Sequence, residues 1–170
     1  MPVDIDGPLH AERAGRHGPP LILIHSLPND HSVWLYQIAH FATSFRVVAV
    51  DLPGLGRSPR ARDGLSMRDL ADACWDALDE ISNEPSVVVG LSIGAGIAKY
   101  MAAGRPERTR ALVLTGAGYA ERNGALASKG ILRHEPGYTE KGIAYRRTQL
   151  EGNYSEAFRS SPLGRYFVDL

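Results

Sequence analysis

One serine stands in a setting that could make it a nucleophile. Residues 90–94 have the pattern G-x-S-x-G, with Ser92 at the centre. The apolar run at 87–89 precedes this pattern, and a helix-compatible stretch of small residues follows it. A sharp strand-to-helix turn of this kind holds a serine hydroxyl where it can attack a carbonyl carbon. Gly90 and Gly94 are then needed because the tight turn brings neighbouring backbone against the serine.

The same pentapeptide has two other interpretations, an unreactive turn rich in glycine and serine and a phosphate-binding loop. The glycine patterns of dinucleotide and nucleoside triphosphate sites, G-x-G-x-x-G and G-x-x-x-x-G-K, do not occur at this strand end. A dinucleotide-binding domain is therefore the weaker alternative. The strand before Ser92 and the helix after it favour the nucleophile.

Short apolar runs alternate with helical patterns over the first two thirds of the chain. Runs with almost every residue apolar are typical of strands buried on both faces, and they cover residues 21–24, 46–50, 87–89 and 111–114. Between them, Ser66 and Asp69 have the spacing of a capping box at the start of a helix. Buried strands separated by helices predict an α/β fold, a mostly parallel sheet with helices on both faces.

Three segments carry a family resemblance. In chain order, residues 21–28 read LILIHSLP, residues 50–58 read VDLPGLGRS and residues 90–94 read GLSIG. As a set they resemble the serine-hydrolase branch of the α/β-hydrolase fold family, which includes esterases, enol-lactonases and C–C hydrolases. The resemblance implies an α/β-hydrolase core over residues 1–118, lacking the last strands of the fold. Residues 119–170 are then part of a helical cap or lid.

The resemblance also implies roles for single residues. Ser92 forms an acyl-enzyme, and the backbone N–H groups of Leu27 and Ile93 form the oxyanion hole, where losing one donor costs ~3 kcal/mol. His25 supports the loop that carries Leu27 and is not the catalytic base. Ser26 occupies a position where the family usually has glycine, so its side chain narrows the pocket or adds a polar contact.

Other polar residues receive structural interpretations. Asp51 is expected to cap the loop that follows it rather than act as an acid or base, and Arg57 and Ser58 are expected to hydrogen-bond within that loop. Trp34 is expected to pack in the core. The histidines in early loops and at helix ends are predicted to be solvated, namely His10, His17, His31 and His40.

The partners of the nucleophile are harder to find. In this family the acid and then the histidine follow the serine along the chain. His134 is the only histidine after Ser92, and its polar surroundings make it a weak candidate for the base. Glu121 is a better-placed candidate for the acid. The chain by itself is therefore expected to be inactive, because the catalytic histidine is not present.

Three explanations of the missing partners stay open. The chain is a fragment, a short binding protein that has lost catalysis, or one of two chains that share a site. The fragment is favoured because the strand at 111–114 would otherwise be a bare apolar sheet edge. On that basis the chain alone is predicted to be poorly soluble.

Composition excludes several classes of partner. Lysine plus arginine and aspartate plus glutamate both number 19, so no broad positive field favours nucleic acid. No long apolar span or signal peptide is visible, so a cytoplasmic protein without a membrane partner is the default. No metal or organic cofactor is expected, since no cluster of histidine, cysteine and aspartate has ligand spacing. Oligomeric state has no signal.

The predicted function is hydrolysis of a small-molecule carboxylic ester, lactone or related acyl substrate. A serine at position 92 disfavours the dehalogenase and epoxide-hydrolase relatives, which use aspartate there. The alternative from another class is a non-catalytic ligand- or partner-binding protein built on the same fold.

Overall fold

The computed structural model describes residues 8–60, 64–116, 148, 155–162 and 164–165. The chain divides into two compact units, Met1–Ile131 and Leu132–Leu170. The predicted boundary after residue 118 and most of the predicted cap lie outside the described residues.

Five strands form a single sheet in the described part of the first unit. They are β1 (Ala11–Ala14), β2 (Pro20–Ile24), β3 (Arg46–Val50), β4 (Ser86–Leu91) and β5 (Thr109–Thr115). Their order in the sheet is β1-β3-β2-β4-β5. Only β1 runs antiparallel to its neighbour, while β3, β2, β4 and β5 are mutually parallel. The predicted mostly parallel α/β sheet is confirmed.

Helices connect the parallel strands. In the first unit they are α1 (Leu35–Phe41), α2 (Met67–Asp79) and α3 (Ile93–Gly104), with 3₁₀ turns at His31–Trp34 and Pro106–Arg108. The second unit contains the short helix α4 (Glu156–Arg159). Among the described residues, no helix combines the length and apolar character that crossing a membrane requires.

The sheet is covered on two faces by different helices. Side chains alternate between faces along a strand, so Leu21 and Leu23 share one face, where they form a cluster with Trp34. Ile22 and Ile24 point to the other face and are equally inaccessible to solvent. Helix α2 packs on α3, and both contact the sheet. The three helices therefore bury both faces of β2, as its run of apolar residues predicts.

Helix α2 begins at the predicted capping box. The backbone N–H of Asp69 donates to Ser66 Oγ at 3.2 Å, and the Ser66 N–H donates to Asp69 Oδ2 at 2.8 Å. These reciprocal bonds satisfy two donors that the helix itself leaves without acceptors. The hydrogen bonds from Ser66 also hold the pKa of Asp69 below its usual value.

A cluster of charged and aromatic side chains joins the end of α2 to the end of α3. Asp79 accepts from Arg105 at 2.8 Å and from Arg108 at 2.6 Å. Both guanidinium groups lie over the ring of Trp75, at 5.4 and 5.2 Å from its centre. The indole N–H of Trp75 donates to the carbonyl of Met101 at 3.2 Å. This cluster joins the C-terminal end of α2 to the segment that follows α3.

Among the described residues, strand β5 is at one edge of the sheet. Its apolar side chains at Leu112, Val113 and Leu114 are 38%, 49% and 36% exposed. Apolar residues in an edge strand are normally covered or interrupted by charge, because an open edge can pair with another chain. Within the described part of the chain, β5 therefore has the exposed apolar character expected from the sequence.

Candidate active site

Ser92 lies at the junction of β4 and α3 in a strained backbone conformation. Its φ of 56° is the one positive φ among the described residues other than glycine. Its ψ of −113° is also outside the usual regions for an L-residue. Such a conformation costs about 1–3 kcal/mol and persists only where the surroundings impose it. The side chain is exposed, and the Ser92 N–H donates to the carbonyl of Thr115 at 2.9 Å.

The two glycines of the pentapeptide are required by the close approach of backbone. A Cβ on Gly90 would lie 2.2 Å from the carbonyl oxygen of Gly94. A Cβ on Gly94 would lie 2.3 Å from the carbonyl oxygen of Ile24 and 2.8 Å from that of His25. Real Cβ atoms essentially never come this close to another atom. At both positions a side chain would therefore collide with backbone atoms.

The close approach of Gly94 to the end of β2 places the start of α3 beside the strand that leads into the loop of Leu27. Ile93 is the first residue of α3, so its N–H has no acceptor within that helix. Leu27 lies two residues beyond His25 and is 41% exposed. The arrangement provides one helix N-terminus and one loop at the C-terminal end of the parallel strands, where α/β folds bind their ligands.

His25 connects two loops at this end of the sheet. The backbone N–H of Leu52 donates to His25 Nε2 at 2.9 Å, so Nε2 is an acceptor and the ring proton is on Nδ1. Nδ1 then donates to the carbonyl of Ser26 at 2.9 Å. Burial lowers the pKa of His25, which keeps the imidazole neutral. Both ring nitrogens are thus occupied by hydrogen bonds that join the loops after β2 and β3.

Ser26 is held by its neighbour three residues along. The side-chain amide of Asn29 donates to Ser26 Oγ at 2.7 Å, and the Asn29 N–H donates to the Ser26 carbonyl at 2.9 Å. Ser26 is 8% exposed, so its hydroxyl is directed toward Asn29 within the loop. The polar contact expected of this unusual serine is thus made inside the protein.

Asp51 forms hydrogen bonds within the loop after β3 and also with His31, which lies in another loop. Its Oδ2 accepts from the Arg57 N–H at 3.0 Å, and its carbonyl accepts from Ser58 Oγ at 2.6 Å. Its Oδ1 accepts from the backbone N–H of His31 at 2.7 Å and pairs with His31 Nδ1 at 2.8 Å. Burial alone would raise the pKa of Asp51, but the hydrogen bonds from His31 and Arg57 outweigh it and lower the pKa.

Two of the histidines predicted to be solvated are not. The side chain of His31 is 17% exposed and paired with Asp51, and the hydrogen bond that its ring donates to the Asp51 carboxylate raises the pKa of His31. His10 Nε2 is inaccessible to solvent. The prediction was wrong for these two because their sequence neighbours do not reveal that the fold places them beside Asp51. His17 and His40 are exposed, as predicted.

The candidate partners of Ser92 lie outside the described residues, both Glu121 and His134. Cys74 offers no competing nucleophile. It is fully buried, and burial raises the pKa of its thiol to about 12, so the reactive thiolate is negligible at neutral pH.

Comparison with known proteins identifies the family. A family model described as the alpha/beta hydrolase fold matches residues 19–159. The chain belongs to the α/β hydrolase fold family. That matched segment contains all the α/β hydrolase landmarks described above, from the loop after β2 to the turn at Ser92.

Named α/β hydrolase relatives cover several reactions. Lipase LipV of Mycobacterium tuberculosis is 37% identical over 107 residues, which are 62% of this chain and 40% of the lipase. Epoxide hydrolase 4 of Homo sapiens is 33% identical over 108 residues, 62% of this chain and 30% of that protein. The enol-lactonase structure from Burkholderia xenovorans is 26% identical with a TM-score of 0.59, covering 64% of this chain and 43% of the lactonase.

The chain is much shorter than the curated relatives it matches. It covers between 28% and 40% of their length.

Proposed function

We propose that this chain carries the nucleophile and oxyanion hole of a serine hydrolase acting on a carboxylic ester, lactone or related acyl substrate. The observation that carries the proposal is the backbone of Ser92, whose φ of 56° presents an exposed hydroxyl at the head of α3. A strained turn enclosed by two obligatory glycines has no evident structural purpose other than presenting that side chain. Similarity to a lipase and an enol-lactonase supports the substrate class.

The proposed reaction begins with attack by Ser92 Oγ on the substrate carbonyl carbon. The charge that develops on the carbonyl oxygen is stabilised by the N–H groups of Leu27 and Ile93, helped by the dipole of the twelve-residue helix α3. A base accepts the serine proton and passes it to the leaving alkoxide, which departs and leaves an acyl-enzyme. Water then releases the acid by the same route.

No described residue is assigned as the base in this mechanism. His25 does not fill the role in this proposal, because its two ring nitrogens are bonded to Leu52 and Ser26. His134 is the only histidine that follows Ser92 in this sequence. We therefore infer slow turnover by the 170 residues alone. The oxyanion hole and substrate binding of a serine hydrolase still provide about 10³–10⁴-fold over water without a complete triad.

Covalent labelling tests the nucleophile directly. The wild-type chain is treated with a fluorophosphonate probe, with and without added imidazole as a diffusible base, and the modified peptide is located by mass spectrometry. We expect labelling at Ser92, faster with imidazole, and none in Ser92→Ala. Ser44→Ala is the matched control, since Ser44 is an exposed serine remote in sequence from the turn, and it should label like wild type.

Each outcome of this experiment is informative. Labelling that persists in Ser92→Ala would place the nucleophile elsewhere and contradict the proposal. An unlabelled wild type, with folding verified by circular dichroism, would favour the alternative, a non-catalytic binding protein. The variant His134→Ala separates two bases, because a lower rate without imidazole would identify His134 as the proton acceptor.

A further inference from the structure

A cluster of three side chains lies near the end of β3. The proposed hydrolysis does not use any of them. They are His10, just before β1, His31, at the start of the 3₁₀ turn, and Asp51, directly after β3. One potential ligand atom from each lies within 4.8 Å of the other two. Forty-one residues separate the first from the last, so the fold alone brings them together.

The polar atoms of this cluster are unequally satisfied. Asp51 is fully buried, and its Oδ1 lies 2.8 Å from His31 Nδ1. The rings of His10 and His31 are 5.5 Å apart, tilted by 58°. His10 Nε2 is buried, with no hydrogen-bond partner among the described residues. Burying an imidazole nitrogen without a hydrogen-bond partner costs folding free energy, because the nitrogen loses its bond to water. The unpaired nitrogen therefore indicates that a ligand binds there.

We propose that His10, His31 and Asp51 form a binding site for a divalent transition-metal ion of the zinc class. Two imidazole nitrogens and one carboxylate oxygen suit zinc and its neighbours, and three protein ligands leave a fourth position for water. Calcium and magnesium fit less well, because both prefer all-oxygen ligands. The ion replaces the proton between His31 Nδ1 and Asp51 Oδ1, and that proton is released to solvent.

The surrounding hydrogen bonds hold the three ligands in place without the ion. The Asp51 N–H donates to the carbonyl of His10 at 2.8 Å, and the His10 N–H donates to Ser58 Oγ at 2.8 Å. Ser58 Oγ in turn donates to the Asp51 carbonyl at 2.6 Å. The second carboxylate oxygen of Asp51 accepts from the Arg57 N–H. Such outer contacts orient metal ligands in known sites.

The local charge also favours a cation. Beyond Asp51 itself, the carboxylates of Asp30 and Glu12 act on the His31 ring in the direction that stabilises positive charge. A bound ion would connect the segment before β1, the end of β3 and the 3₁₀ turn that follows the loop of Leu27. Bound metal would therefore stabilise the segment that follows the proposed oxyanion loop. The metal-site proposal does not depend on the hydrolase proposal.

The test is zinc binding to the 170-residue chain freed of any histidine tag. We expect isothermal titration calorimetry to give one Zn²⁺ per chain. Zn²⁺ at about 100 times its Kd should raise the melting temperature by roughly 5–11 °C for a chain of this size. The double variant His10→Gln/His31→Gln should lose at least 10-fold in affinity. The control His17→Gln/His40→Gln removes two exposed histidines and should bind like wild type.

A spectroscopic measurement on the wild type tests the site even if the double variant does not fold. Co²⁺ in a four-coordinate site with nitrogen ligands absorbs visible light far more strongly than the hydrated ion, so its spectrum should show intense bands that excess Zn²⁺ removes. The proposal is overturned if the wild type binds no Zn²⁺ at a one-to-one ratio, if Co²⁺ keeps the spectrum of the hydrated ion, or if a folded His10→Gln/His31→Gln variant binds as tightly as wild type.

Discussion

Three glycines of α3 differ in what an added methyl group would meet, so their alanine variants give a graded test of the serine turn. At Gly94 a Cβ would lie 2.3 Å from the carbonyl oxygen of Ile24, over 1 Å closer than the 3.4 Å of ordinary contact. At Gly96 it would meet only the flexible end of Met67, at 2.8 Å, and at Gly104 nothing within 4 Å. All three lie in one helix and none has a positive φ.

Gly94→Ala must therefore move backbone. Overpacking of this kind costs about 1–3 kcal/mol, and we expect the upper end, ~3 kcal/mol, because the obstacle is a strand carbonyl and not a side chain. For a chain of this size ~3 kcal/mol lowers the melting temperature by roughly 6–12 °C. Gly96→Ala should cost less, since Met67 can rotate away. Gly104→Ala should be neutral or stabilising by at most ~1 kcal/mol, from the better helix propensity of alanine.

Thermal unfolding followed by circular dichroism at 222 nm measures all three variants under identical conditions. The order of melting temperatures should be Gly94→Ala lowest, then Gly96→Ala, then Gly104→Ala. Fluorophosphonate labelling of Ser92 should fall in Gly94→Ala alone, because the displaced strand end carries the loop of Leu27. A Gly94→Ala protein that melts within 2 °C of wild type would refute the claim that the turn is closed by this backbone contact.

Three further predictions concern side chains that hold the fold. Ser66→Ala removes the cap of α2 and should cost about 1 kcal/mol of unfolding free energy, measured by urea denaturation. Asp79→Ala leaves Arg108 without its carboxylate partner; charge-assisted bonds are worth about 1.5–3 kcal/mol, and partial exposure reduces the expected loss to about 1–2 kcal/mol. The hydrogen bond to Asp51 raises the pKa of His31 in the folded chain above its usual 6.5. Protonated His31 therefore stabilises the fold fully below pH 6.5, and this stabilisation is lost as the pH rises through the folded-state pKa. The stability gap between wild type and His31→Asn should therefore narrow from pH 6 to pH 9.

Each of these has a matched control. Arg13→Ala breaks an exposed bridge to Glu80 and should cost under ~1 kcal/mol, so an equal loss in Asp79→Ala would contradict the special role of its cluster. His40→Asn makes the same substitution at an exposed histidine and is measured beside His31→Asn over the same pH range. A Ser66→Ala chain as stable as wild type would mean that the capping box contributes nothing to the folded state.

The parts of the site that were predictable are those encoded locally. The pentapeptide around Ser92 combines a strand, two glycines and a helix within a short window, so its geometry follows from adjacent residues. His25 was interpretable through its family position, and its bonds to Leu52 and Ser26 agree with that role. Trp34 is buried, as expected from its predicted place in the core.

The unpredicted parts arise where distant segments meet. His10, His31 and Asp51 come from three separate segments, and no periodicity or spacing links them. Asn29 was missed as the partner of Ser26, although the three-residue spacing between them is a signal for a side-chain bond in a tight turn. The antiparallel pairing of β1 with β3 likewise depends on sheet order, which short apolar runs do not encode.

The fluorescence of the two tryptophans can report separately on two parts of the fold. The sequence has only two, and they lie in different helical layers, Trp34 in the cluster with Leu21 and Leu23 and Trp75 on α2 beneath two guanidinium groups. Replacing Trp34 or Trp75 by phenylalanine would isolate the emission of the other. Unfolding followed at one wavelength would then reveal which layer loosens first.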